Sequence, residues 1–305
     1  MGALYFDFPV PALRKPATII YLLAMLAIVA LVRGAWRKVG FVGAGFIVVL
    51  GWWLTLQPSN DRDWQTDVAR TAWAEIEGDR VTLHNVRNND YRTELDYTPH
   101  WETRTVYLSK LRGIDLFMNY WGPKWMAHPI VSFEFDEALP VCFSIEVRLE
   151  KGEEYSSLGG IYRYAELICV CADERDVVRL RSNFRKTQDV YLYRTRATPE
   201  QARERFREYL VTLNSMHKRA RWYNAITTNC TTAIRAQRAA ERRMPWDWRI
   251  LLNGELDQML YEHGALAGDL PFAQLKEAAH INAAARAANE AADFSARIRA
   301  GRPGF

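Results

Sequence analysis

The distribution of apolar positions divides the chain sharply near Pro58. Before it, residues 17–32 and 39–56 are two uncharged apolar runs, each close to the roughly 17 to 25 residues that a helix needs to cross a bilayer. Arg33, Arg37 and Lys38 make the segment between them basic, and Trp52 with Trp53 falls at the far end, where indoles gather at a membrane interface. The pattern predicts a membrane hairpin over residues 1–58, with helices at about 17–32 and 39–56. It argues against a cleaved signal peptide, because a second apolar run follows directly and no small-residue cleavage site stands out. Beyond it, Ser59-Asn60-Asp61-Arg62-Asp63 is a polar linker and strand-like alternation takes over.

Residues 81–86 and 104–108 read as strands, and 114–121 as a strand or a groove-lining loop. Along 128–135, Pro129, Val131, Phe133 and Phe135 share one face, while His128, Ser132 and Glu134 share the other. After a turn at 136–140, residues 141–149 alternate likewise, with Cys142, Ser144, Glu146 and Arg148 on the polar side. Two such runs predict an antiparallel hairpin. Pairing Phe135 with Val141 would set His128 near Arg148 and put Glu146 on the neighbouring diagonal, within reach of a long side chain. Further strands are expected at 161–171, 177–181 and 190–193.

Thr198-Pro199-Glu200-Gln201 opens a capped helix that runs to about Met216. Asn229 caps a second, from Cys230 to about Glu241. After Met244-Pro245 the chain reads as mostly helical, ending in an Ala- and Arg-rich helix over about 275–300 that suits packing on another helix or a basic face toward lipid headgroups. The expected organisation is α+β, in three parts: the hairpin 1–58, a domain over 59–245 and a helical extension over 246–305.

Charge and composition narrow the function. Forty basic residues nearly balance thirty-six acidic ones, and no nucleic-acid-binding motif appears, so nucleic acid is not an expected partner. The four cysteines lack zinc spacing and no histidine cluster accompanies them, so neither a metal nor a cofactor is called for. Three charges between the apolar runs outweigh Arg14 and Lys15 before them, which favours a soluble part facing outward, into the periplasm or another extracytoplasmic space.

The candidate chemistry centres on Cys230. At the first turn of a helix a thiol meets unsatisfied N–H groups and the positive end of the dipole, which favour the thiolate of a nucleophile. The other reading is a small buried cysteine packed as a hydrophobe. His128 is the candidate base, with Glu146 orienting its ring. Glu146 and Arg148 read equally as an exposed cross-strand ion pair, and Ser144 is the other candidate for the third role. The Cys230 backbone N–H, Asn229 and Tyr223 could stabilise an oxyanion, with Asn224 and Arg148 as supporting residues. Arg87, Asn88 and Arg92 either hold a substrate headgroup or form a solvated turn.

Several separated motifs occur together: Arg87-Asn88, His128 with Ser132-Phe133, Ser144-Ile145-Glu146-Val147-Arg148, Tyr155-Ser156, Glu166-Leu167, and Tyr-Asn-x4-Asn-Cys-Thr-Thr from Tyr223 to Thr232. In this order the pattern resembles the Lnb amino-terminal-domain family of bacterial membrane-tethered proteins. That family is similar in turn to the permuted papain-like (NlpC-like) acyltransferases and peptidases, in which a histidine strand precedes an Asn-Cys helix. The resemblance implies a papain-like domain with Cys230 as nucleophile and His128 as base, and the activity of a lipoprotein N-acyltransferase. Its expected partners are the membrane, a phospholipid and a lipoprotein. The alternatives are a cysteine peptidase or amidase acting on cell-wall or other peptides, and a non-catalytic membrane-anchored binding module.

Overall fold

The structure of the chain, a computed structural model, describes residues 1–123, 125–238, 243 and 246–305. A short helix α1 (Gly2–Asp7) precedes two helices, α2 (Pro11–Leu31) and α3 (Ala35–Thr55), with no buried residue on either. Both are long and apolar enough to cross a membrane. They begin earlier than expected: α2 takes in Pro11 at its first turn, where a missing N–H costs nothing, and α3 takes in Arg37 and Lys38.

The soluble part is mixed α+β, with a sheet packed between helices. Its strands are β1 (Trp73–Glu77), β2 (Arg80–Arg87), β3 (Asp90–Tyr91), β4 (Tyr97–Thr98), β5 (Trp101–Tyr107), β6 (Leu111–Trp121), β7 (Ala127–Phe135), β8 (Val141–Arg148), β9 (Glu166–Ala172), β10 (Gln188–Arg194) and β11 (Arg221–Trp222). The helices are α4 (Glu174–Arg179), α5 (Pro199–Lys218), α6 (Cys230–Ala236), α7 (Arg249–Leu252), α8 (Leu256–Glu262), α9 (Phe272–Ala279), α10 (Asn282–Ala287) and α11 (Phe294–Arg297). The main sheet runs β1-β2-β9-β8-β7-β6-β10, antiparallel except where β2 meets β9, while β5 adds to β2 and β11 to β9.

Both faces of this sheet are covered. On the first, Phe133, Phe143 and Leu116 pack against Phe206, Tyr209 and Leu213 of α5, and Ala233 of α6 joins the same core. Burying each such large side chain stabilises the fold by roughly 1.5 to 3 kcal/mol. The α5 cap is reciprocal, as expected: Thr198 Oγ1 accepts from the Gln201 N–H and Gln201 Oε1 accepts from the Thr198 N–H. On the second face, Phe117, Ile130, Ile168 and Val170 pack against Val177, Ile281, Ala285, Phe294 and Ile298. That second layer buries polar positions of the hairpin, Ser132 and Ser144 among them, and Trp64 with the 68–69 segment buries Arg148, all of which alternation alone would have left in solvent.

Three expected elements are corrected. Residues 177–181 are helical, because Asp173 caps α4 by accepting the Arg175 N–H at 2.8 Å and the Val177-Val178 pair meets the sheet. The strand expected at 161–171 begins only at Glu166. The long helix expected over 275–300 is three short ones. It breaks at His280 and Ile281, where the Ile281 N–H donates to the Val190 carbonyl and the Asn282 side chain accepts the Val190 N–H, so the chain satisfies the edge strand β10 instead. Its alanines 285 and 288 pack under the sheet. The expected end of the cysteine helix at Glu241 and the boundary at Met244-Pro245 lie outside the described residues; α6 itself ends at Ala236.

Candidate active site

The hairpin of β7 and β8 pairs Phe133 with Val141 and Ile130 with Ser144, two residues out from the expected register. The ladder stops there, although β7 begins at Ala127 and β8 continues to Arg148. The strands therefore part, and a cavity of about 440 Å³ opens beside their ends. His128 and Glu146 line it from the parted strands, and Cys230 with Asn229 lines it from the start of α6. Tyr223, Tyr155, Trp121, Trp125 and Asn253 complete much of the wall.

Asn229 holds the cysteine in place. Its side-chain oxygen accepts the N–H groups of Thr231 and Thr232 at 3.1 and 2.9 Å, Thr232 Oγ1 accepts the Asn229 N–H in return, and its amide nitrogen donates to the Ala225 carbonyl. Those bonds commit the Asn229 carboxamide to the cap, and the first-turn N–H groups were expected to acidify the thiol. Burial instead pushes the Cys230 thiol above its ordinary value, against hydrogen bonds from Thr231 and Asn253. Asn253 Nδ2 lies 3.2 Å from the sulfur. The other three cysteines are fully buried, and burial pushes Cys171 up to about 12.

The imidazole of His128 is bonded through Nε2 to Ser144 Oγ at 2.7 Å. Glu146, expected on the ring, instead pairs with Arg181 at 2.9 Å and takes a hydrogen bond from the Ser144 hydroxyl. Burial alone would raise the Glu146 carboxyl, but Arg181, with Arg87 behind it, holds it well below the usual carboxylate range. Burial, reinforced by Arg181, pushes the His128 imidazole down to about 3, so the ring is neutral. Imidazole, hydroxyl, carboxylate and guanidinium thus form one chain along the cavity, with His128, Glu146 and Arg181 all on its wall.

The remaining predicted residues fall elsewhere. Tyr223 lines the cavity with its hydroxyl bonded to Tyr155, but Asn224 folds its own loop, accepting from Ile226 and Thr227. Arg148 is buried over the Trp64 ring and donates to the carbonyls of Val68 and Ala69, so it is neither an exposed partner of Glu146 nor a cavity group. Arg87 is clamped bidentately on Asp176, Asn88 reaches Glu102, and Arg92 pairs with Asp96 on an exposed turn. None of those three lines the cavity. Sequence reasoning missed Arg181, hidden in a segment read as strand, and Asn253. The latter sits at φ 40° before Gly254, a left-handed position that Asn-Gly fits well but that carries no chemical signature.

These features define a membrane-anchored α+β protein whose soluble domain sets a cysteine and a histidine on one cavity. A family model for the Lnb N-terminal periplasmic domain matches residues 97–254, just over half of the 305-residue chain, and the chain belongs to that family. The match begins after Arg87, Asn88 and Arg92 and takes in His128, Cys230 and Asn253. With the two apolar helices it makes this a membrane-anchored protein with a periplasmic domain. No curated protein and no solved structure matches the chain.

Proposed function

We propose that the protein is a thiol acyltransferase that moves an acyl chain from a phospholipid, through a thioester on Cys230, to an amine such as the terminal amino group of a lipoprotein. The observation that carries this reading is the shared cavity of Cys230 and His128, with Ser144 and Glu146 behind the ring. Ser144 has one proton. Given to the Glu146 carboxylate, it leaves the hydroxyl oxygen to accept Nε2–H, and Nδ1 of the ring is then the basic nitrogen left for the thiol.

With a raised thiol and a depressed imidazole the resting pair is neutral, so proton transfer accompanies attack rather than preceding it. The sulfur adds to the ester carbonyl as His128 takes its proton. The tetrahedral intermediate collapses, the alkoxide leaves with that proton, and the acyl chain stays on sulfur. An amine then attacks the thioester carbonyl, gives a proton to His128, and the thiol is reformed. To the developing oxyanion we assign Asn253 Nδ2, which lies 3.2 Å from the sulfur, and the Cys230 backbone N–H, an effect typically worth about 10²- to 10³-fold per donor.

Aromatic and aliphatic lining by Trp121, Trp125, Met126, Ile145 and Val147 favours a lipid over a peptide. The test is mass spectrometry of lipoproteins from a strain lacking other N-acyltransferases. Wild-type protein should N-acylate them and Cys230→Ala should not; an identical pattern from both would end the acyltransferase reading.

A further inference from the structure

The segment between β8 and β9 is wedged between the membrane anchor and the loop that carries Cys230. On one side, Phe6 of α1 stacks on Tyr162 with ring centroids 5.2 Å apart, and Arg14 in the first turn of α2 pairs with Glu153 at 3.1 Å. Arg163 closes the end of α3, donating to the carbonyls of Trp53, Leu54 and Leu56 at 2.9 to 3.0 Å, while its own N–H donates to Asp7. On the other side, Gly160 accepts the Ala225 N–H at 2.7 Å and Ile161 accepts from Asn224 Nδ2. The two glycines permit the wedge. A Cβ on Gly159 would come within 3.1 Å of Phe6, and one on Gly160 within 3.1 Å of Tyr223 and 3.2 Å of Ala225.

Three large aliphatic side chains on these two bonded loops face outward without cover: Leu158 (69% exposed), Ile226 (55%) and Ile161 (44%). Their neighbours Tyr155, Ser157 and Ala225 line the cavity. A cluster of exposed aliphatics normally marks an interaction surface. Here its place beside the ends of α2 and α3 says what covers it, because those helix ends lie where hydrocarbon gives way to headgroups.

We infer that Leu158, Ile161 and Ile226 form a second membrane contact, a rim that dips into the periplasmic leaflet and lays the mouth of the Cys230 cavity against the bilayer. Lipid then reaches the cavity without crossing water. This inference rests on the membrane anchor and not on the chemistry of Cys230.

Because α2 and α3 hold the protein in the bilayer regardless, binding to vesicles cannot test the rim; depth can. A nitroxide is attached at Leu158→Cys or Ile226→Cys in the full chain carrying Cys230→Ser, with the buried Cys142, Cys169 and Cys171 left in place. The protein is reconstituted into phosphatidylethanolamine–phosphatidylglycerol vesicles. Collisions with oxygen, which concentrates in lipid, are compared with collisions with a water-soluble nickel chelate. The ratio of oxygen to nickel access should be several-fold higher at 158 and 226 than at a control label replacing Leu95, which is 89% exposed in the turn between β3 and β4. In a Leu158→Asp, Ile226→Asp background, a label at Ile161→Cys should become nickel-accessible. Equal ratios at rim and control would overturn the inference, as would a rim shielded from both probes, which would mean a protein partner. Since no reaction is read, a lipid-buried rim with no acyl transfer would leave the contact standing and sink only the enzyme.

Discussion

Two polar clusters sit on the same face of the same sheet, and they differ in what is left over. At one, Arg299 donates to Asp115 at 2.7 and 2.9 Å and to Glu174, Ser132 donates to Glu174 at 2.6 Å, and Arg194 pairs with both Asp115 and Glu134. Asp115, Ser132 and Glu174 are almost wholly buried and each has a partner. At the other, the chain from Arg181 through Glu146 and Ser144 ends on a neutral imidazole beside a cavity. Helix α4 and the turn after it serve both, with Glu174 at its start and Arg181 beyond its end. A closed set of charges can only hold the fold together, whereas a cluster that terminates on an uncompensated basic nitrogen has capacity left for a substrate.

The largest expected effect breaks the closed cluster. Arg299→Met removes the cation between two buried carboxylates and should cost about 3 to 5 kcal/mol of stability. Denaturant unfolding measures it. Lipoprotein acylation per folded molecule should be unchanged, and a variant that stays stable but loses activity would reverse the roles assigned to the two clusters.

Next in size is His128→Gln, which should lower transfer by about 10²- to 10⁴-fold, as loss of a general base does. It should also change how stability depends on pH. An unfolded histidine binds a proton below about 6.5, while His128 in the fold resists one down to about 3. The wild type therefore has the ring's full contribution above pH 6.5 and loses it as pH falls toward 3. Subtracting the variant's profile isolates the ring, because Asp115 and Glu166, whose carboxyls burial pushes up to about 6 and about 7, titrate in both proteins. A difference that stays flat across that window would mean that His128 is not buried as a neutral base.

These two clusters also show how far the sequence could be read. Alternation along 128–135 and 141–149 identified the hairpin and placed His128, Ser144 and Glu146 on one side, because period-two patterning survives wherever one face is apolar. The motif around Asn229 and Cys230 likewise located the capped helix, since capping is local chemistry. What could not be read was long-range. The cover over the polar face comes from residues 60–69 over Arg148 and from α4, α10 and α11 elsewhere, so Arg148 looked like a surface residue and Arg299 carried no signal at all. The two-residue register difference followed for the same reason, since hydrophobic alternation allows every even shift. Asn253 meets Cys230 only because α7 packs close to α6, which no spacing in the chain encodes.

The smallest effects separate the two candidates for the third role. Ser144→Ala removes a single hydrogen bond on Nε2, worth about 0.5 to 1.5 kcal/mol, so transfer should fall about 2- to 10-fold. The acid limb of its pH–rate profile should shift little, since the charges around the ring are untouched. Glu146→Gln keeps an oxygen for Ser144 to donate to but deletes the carboxylate that supports protonation of His128 and pairs with Arg181. With that charge gone the neutral ring is favoured further, so the acid limb should move to lower pH. Stability should fall as well, because Arg181 is left buried without its counter-charge. If Ser144→Ala moved the limb and Glu146→Gln did not, the relay from carboxylate through hydroxyl to ring would be wrong, and the carboxylate would belong with the closed cluster as a purely structural charge.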